Sequence, residues 1–191
     1  MRKSREEASK TRVRIVGAAS ERLRRCGLEA TSLADVMRDA GLTHGGFYRH
    51  FESREQLIGE AYADMLTAVV DALVQRLAEI PAEQRLRAFI ELYLSPGHLE
   101  DRACGCGFAA VGSELARQAP ALRSKATGGF RHFVEALVNL QTQGDAAEKR
   151  ARAQFVAGAL TGAMTLARTV DDAALADEIL ANTRTCLVAA L

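Results

Sequence analysis

Tryptophan is absent from this chain of 191 residues, prolines number three, and aromatic side chains make up only 5% of it. So few prolines leave long stretches free to stay helical, since an internal proline removes a backbone hydrogen bond and clashes with the preceding turn. Runs of about 18 apolar residues, which a membrane-crossing helix needs, are missing too. The N-terminal stretch MRKSREEASKTR lacks the apolar segment of a secretory signal, so the expected location is cytoplasmic, with no membrane partner. The four cysteines, Cys26, Cys104, Cys106 and Cys186, are too sparse and irregular for a disulfide framework, and reduced thiols are the expectation. Cys104 and Cys106 could form a dithiol or, with His98, part of a zinc site. No second cysteine pair at metal spacing completes such a site, and neither a phosphate loop nor a Ser/His/Asp signature occurs. A non-enzyme without metal or cofactor is expected.

What is present in quantity is alanine and leucine at helical spacing, which predicts an all-α fold. Charge is uneven although the net value is only +1. Residues 1–55 hold twelve Lys/Arg against eight Asp/Glu, and the rest hold thirteen against sixteen. The N-terminal third is the basic part, as a surface that meets phosphate would be.

That third contains the most telling stretch, TSLADVMRDAGLTHGGFYRHFESR, residues 31–54. Thr31 or Ser32 can cap a helix, Asp35 suits its first turn, and Leu33, Val36, Met37 and Ala40 share one face. Gly41 supplies the left-handed residue that ends it, and Thr43 can cap a second helix over 44–51. Two short helices joined by a glycine turn form the layout of a helix-turn-helix DNA reader. Gly45 and Gly46 each cost roughly 1 kcal/mol against alanine in a helix, and close approach of the backbone to DNA would be a reason for them. A helix over 10–26 with Val13, Val16, Ala18, Ala19 and Leu23 inward would complete a three-helix unit. The first ten residues read as disordered, with Arg2, Lys3 and Arg5 able to brush phosphates.

Ser53 with Gln56 resembles a capping box, opening a long helix to about residue 79. Further helices are predicted over 82–94, 108–118, 122–143, 146–169 and 172–190, with breaks at Ser95-Pro96-Gly97, at Pro120 and at Gly144-Asp145.

Leu33 to Leu57, and above all the run GLTHGGFYRHF followed by SREQL, resembles the DNA-binding domain of the TetR family of bacterial transcriptional regulators. The resemblance implies an N-terminal three-helix helix-turn-helix domain, residues 1–52, and a C-terminal helical effector-binding and dimerisation domain, residues 53–191. It implies a double-stranded DNA operator as partner, met by Thr31, Thr43, His44, Gly46, Tyr48, Arg49, His50 and Arg54. Thr43 could equally be a plain N-cap, Tyr48 could pack inside the bundle, and Arg49 could be a solvated charge. The family has a basic or small polar residue where His44 and Gly46 stand, and commonly a lysine in place of Arg54. Residues 122–143 and 146–169 would form a homodimer interface.

A small-molecule effector, hydrophobic or aromatic, would sit among Met65, Tyr93, His98, Cys104, Cys106, Phe108 and Met164, each of which could instead be core. The reading is a ligand-released repressor. Its alternative is a redox or electrophile sensor using Cys104 and Cys106, since a thiolate near a helix start and Arg102 would have a lowered pKa. An architectural DNA binder without an effector is the third reading.

Overall fold

The computed structural model describes the backbone of residues 2–191 and the side chains from residue 6 onward. Among these residues there is no strand. The helices are α1 (Arg2–Cys26), α2 (Leu33–Asp39), α3 (Arg54–Gln75), α4 (Arg85–Tyr93), α5 (Pro96–Glu100), α6 (Gly107–Leu115), α7 (Pro120–Asn139), α8 (Ala146–Thr169) and α9 (Ala173–Ala189), with 3₁₀ turns at His44–Arg49 and Ala82–Gln84.

Three helices, α1, α3 and α5, differ from the sequence reading. Residues 2–9 are helical rather than disordered, because nothing before Gly17 breaks α1 and Glu6 pairs with Lys10 one turn on at 2.9 Å. The phosphate contacts of Arg2, Lys3 and Arg5 lie outside the described side chains. The inward side of α1 is Ile15, Ala19 and Leu23, while Val13 is exposed. α3 ends at Gln75, and the following turns are tied down by Arg85, whose Nε donates to the Ile80 carbonyl at 2.8 Å. The break expected at Ser95-Pro96 does follow the end of α4, but it also starts α5: proline suits the first helical position, and the Ser95 hydroxyl accepts the His98 N–H at 3.2 Å.

The starts of α3 and α8 are chemically marked. Ser53 accepts the Gln56 N–H at 3.1 Å, and the Gln56 side chain takes the Glu52 N–H at 2.8 Å, one residue before the position a full capping box would use. The box is complete at Asp145 and Glu148, opening α8.

Two hydrophobic clusters divide the interior, and they meet on α3 rather than at residue 53. Leu57, Ile58, Ala61, Tyr62, Met65 and Leu66, from its N-terminal part, pack with Ile15, Leu23, Met37, Phe47 and Phe51. Val69, Val70, Leu73 and, beyond its end, Leu77 belong to the larger cluster of Phe89, Tyr93, Phe133, Leu160 and Met164. Val111 and Leu115 of α6 join the first cluster, so this helix of the C-terminal body packs into the N-terminal core. α7 turns Gly129, Phe133, Val134 and Leu137 inward, leaving Phe130 as its exposed large apolar side chain. No described helix is long and apolar enough to cross a membrane.

Candidate nucleic-acid interface and the body behind it

α2 begins as its sequence predicts, but with Ser32 as the cap: the Ser32 hydroxyl accepts the Asp35 N–H at 3.1 Å. The Ser32 hydroxyl, then Arg22 and Arg38, hold the Asp35 carboxyl below the usual range. At the other end the Leu42 N–H reaches Met37 O at 2.8 Å and the Gly41 N–H reaches Arg38 O at 2.9 Å, a Schellman ending with Gly41 at φ +67°. Leu42 is half-buried in the turn.

The second element is a 3₁₀ turn, His44–Arg49, where a regular α-helix is predicted. Two consecutive glycines weaken α-helical winding, and i→i+3 bonds replace it, Gly46 N to Thr43 O at 3.0 Å and His50 N to Phe47 O at 2.9 Å. One side chain, Phe47, anchors the turn in the core and stacks on Phe51 at 5.5 Å. The other side faces outward: Thr43, His44, Gly45 and Arg49 are exposed, and Tyr48 is 71% exposed. Thr43 precedes the turn without a side-chain cap bond, so its hydroxyl is not used up locally. Neither Gly45 nor Gly46 has a positive φ. A Cβ at Gly45 would meet nothing within 4 Å, and at Gly46 only ordinary contacts at 3.9 Å. Neither backbone conformation nor crowding therefore requires glycine at these two positions.

Thr31 does not join this surface. It is buried, and its hydroxyl donates to the Gly27 carbonyl at 2.6 Å, so it closes the α1–α2 corner instead of touching phosphate. Arg54 is exposed beside it and spends one Nη–H on the Thr31 carbonyl at 3.0 Å. His50 is half-buried, with its backbone carbonyl accepting from Arg12. Arg12 also pairs with Glu60 and lies 4.1 Å over the Phe51 ring, locking the end of the reading turn to α1 and α3. Sequence reasoning missed Arg12, and no local pattern marks it, because its partners are 38 and 48 residues away.

Most of the predicted effector residues are structural. Met65, Tyr93, Cys106 and Met164 are buried in the two clusters. His98 is a brace: its ring Nδ1 bonds the Tyr93 carbonyl at 2.6 Å and its Nε2 accepts the Cys106 N–H at 3.0 Å. This makes it neutral, with the proton on Nδ1, and burial, with Arg168 adding to it, lowers its pKa. Phe108, half-buried, borders a groove of about 590 Å³ between α6 and α7, together with Leu115, Ala126 and Arg131. Cys104 is exposed, but desolvation and the Asp101 carboxylate push its thiol up despite Arg24 nearby, against the predicted activation.

Comparison with known proteins matches these two parts separately. The family model of bacterial regulatory proteins of the tetR family covers residues 15–61, and that of the LmrA/YxaF-like transcriptional regulator C-terminal domain covers residues 81–180, more than half of the chain. The chain belongs to the TetR family. TetR proteins are transcriptional regulators, and this one is not an enzyme. Among curated relatives, the regulator TtgR of Pseudomonas putida is 36% identical over 75 residues, 39% of this chain and 35% of that protein. AcrR of Shigella flexneri is 26% identical over 110 residues, 48% of this chain and 51% of that protein. The matches thus span about a third to a half of those relatives. Solved structures match the fold over nearly the full chain. A TetR regulator of Chloroflexus aurantiacus has a TM-score of 0.75 at 24% identity, covering 96% of each chain. The reduced form of NemR from E. coli has 0.75 at 18%, covering 93% of this chain and 95% of that one.

In this TetR chain the reading unit is gripped from the body at the end of α1. Gly27 ends α1 at φ +76°, the Leu28 N–H donates to the Glu114 carboxylate of α6 at 2.9 Å, and a Cβ at Gly27 would stand 2.5 Å from Glu114 Oε1. Ser20 adds a second tie, donating to the Ala61 carbonyl at 2.9 Å and lying 2.6 Å from Asp64.

Proposed function

We propose that this protein is a cytoplasmic, homodimeric repressor that binds a palindromic DNA operator and leaves it when a small molecule occupies the C-terminal body. The observation that carries the DNA reading is the outward face of residues 43–49. Tyr48 is a large ring left in water beside a fully buried Phe47, and next to it Gly45 and Gly46 keep the backbone bare where the fold has room for side chains. Exposed hydroxyl and cationic groups at Thr43, Tyr48, Arg49 and Arg54 suit phosphate oxygens. The bare backbone suits close approach in the major groove.

One such face reads few bases, and pairing two at a spacing of about 34 Å is what makes an operator specific. The exposed apolar surface that supports pairing lies on α8, where Phe155 is 61% and Leu166 57% exposed, and on α9, where Leu175 is 42% exposed. Between the two α8 side chains stand Gly158 and Gly162, whose outer faces are open. We therefore read the interface as 146–169 with 173–189, and not 122–143, whose apolar side is used inside the chain. For the effector, the groove beside Phe108 is the better candidate, because the other predicted residues, the exposed Cys104 apart, are core or bracing groups. The thiol-sensing alternative loses its physical basis with the raised Cys104 pKa and the burial of Cys106.

The test is a mobility-shift and footprinting titration on DNA flanking the gene. Wild type should protect one short palindrome. Tyr48→Ala should weaken that complex by about tenfold, one lost phosphate-directed contact, with the dimer intact in size exclusion. Phe155→Glu should yield monomer and lose the specific complex. Uniform coverage without a palindrome would refute the operator reading.

A further inference from the structure

Where the C-terminal end of α1 meets α6 and the last turn of α8, a cleft of about 380 Å³ opens. Its walls are cationic: Arg24 and Arg25 come from α1, Arg102 from the loop after α5, and Arg168 from α8. The acid in the lining, Glu114, is already engaged by the Leu28 N–H, and Arg25 is paired with Glu21 at 2.9 Å. Arg24, Arg102 and Arg168 have no ion-pair partner among the described residues. Arg24 gives its Nε–H to the Ala103 carbonyl, and Arg168 one Nη–H to the His98 carbonyl at 2.7 Å. That leaves Arg24 Nη1 and Arg168 Nε buried with no hydrogen-bond partner among the described residues. Burial lowers the pKa of both guanidinium groups, with the Arg102 charge adding to it at Arg168, while Asp64, Glu21 and Asp101 near Arg24 and Asp101 near Arg168 oppose it without forming an ion pair.

Buried, unneutralised charge destabilises a fold, and donors left without acceptors add to the cost. The planar fork of a guanidinium matches the oxygens of carboxylate and phosphate. Three unpaired cations around one cleft therefore call for an anion of more than one charge, and the volume falls within the range of small-molecule sites, about 300–1,000 Å³.

We propose that this cleft binds a small dianionic oxyanion compound, a phosphate monoester or a short dicarboxylate, held between Arg24 on one wall and Arg102 and Arg168 on the other. Ser113, exposed in the same wall, adds a hydroxyl donor. Arg24 belongs to the helix whose Arg12 locks the reading turn, while Arg102 and Arg168 belong to the body. An anion spanning them ties the two together, so its binding changes the set of the reading unit and with it DNA affinity. By reciprocity DNA changes the affinity for the anion equally. This coupling rests on the proposed operator function; the binding does not.

The experiment is thermal unfolding and calorimetric titration of the full chain with inorganic phosphate and with succinate, against sodium chloride at equal ionic strength. A saturable rise in Tm with either oxyanion and none with chloride is expected. Arg168→Gln should weaken binding by about tenfold or more, the loss of a charge-assisted hydrogen-bonding group. Arg102→Gln should weaken it by about threefold or more. Among the described residues the Arg102 side chain makes no hydrogen bond, so that variant decides the matter even if Arg168→Gln unfolds. A rise matched by chloride, or equal affinity in wild type and Arg102→Gln, overturns the site. Saturable anion binding that leaves operator affinity unchanged overturns the coupling alone, and anion binding without any operator separates this site from the function proposed above.

Discussion

The two ends of the molecule use tyrosine in opposite ways. Tyr93 is fully buried, with Phe133 at 5.9 Å, Phe89 at 6.2 Å and His98 at 4.7 Å between ring centres. Tyr48 touches Phe47 edge-on at 5.1 Å and is otherwise in solvent. The body spends this tyrosine on packing, whereas the reading turn keeps one that packing does not need. Side chains without a structural task point to a partner, and those with one are poor guides to a ligand.

The sharpest way to break this comparison is to remove each ring. Tyr93→Ala should cost about 3–5 kcal/mol, the usual penalty for deleting a buried aromatic ring. Tyr48→Ala should stay within about 0.5 kcal/mol of wild type, as exposed substitutions do. Urea denaturation at neutral pH measures both. A loss below about 1 kcal/mol for Tyr93→Ala would mean the ring lines an open, adaptable pocket after all.

What could be read in advance follows the range of the interaction. Ser32, Gly41 and Ser53 act on backbone groups within a few residues, so their caps and the turn they frame were legible as sequence. The exposed positions of Thr43, His44, Tyr48 and Arg49 agree with the motif's spacing for the same reason. Thr31 failed because its hydroxyl chose the Gly27 carbonyl over a place outside, a choice made by the corner between helices. Arg12, Glu114 and the arginine cleft were invisible because each joins segments far apart in the chain. Met65, Tyr93 and Met164 suit a pocket and a core equally by residue type, and only packing decides between them.

The body's bracing can be probed by pH, with a smaller effect. His98 holds Tyr93 and Cys106 while neutral, and its folded pKa lies below the ordinary 6.5 through burial and, in addition, Arg168, opposed by its bond to the Tyr93 carbonyl and by Asp101. A depressed pKa contributes stability that is present above about 6.5 and lost as pH falls toward the folded value, because the unfolded chain binds the proton first. The denaturation midpoint should therefore drop between pH 7.5 and pH 5.5. His98→Gln, which cannot titrate, should show a shallower slope over the same interval, and identical slopes would remove His98 from the brace.

Smallest in stability, but most direct for the comparison, is a methyl group on Gly45. Alanine there has open space around its Cβ and a backbone conformation it can adopt without a positive φ. Substitution should leave stability unchanged or raise it by about 0.5–1 kcal/mol, since glycine loses more freedom on folding and winds less readily. If the bare backbone is there for DNA, the same methyl meets the duplex, and operator affinity falls while the protein becomes no less stable. Unfolding and mobility-shift titrations on one preparation give both values. Stability and DNA affinity moving in opposite directions is the signature of a residue kept for a partner. If affinity holds while stability rises, the glycine has no task at this surface, and the case for close backbone approach at Gly45 goes with it.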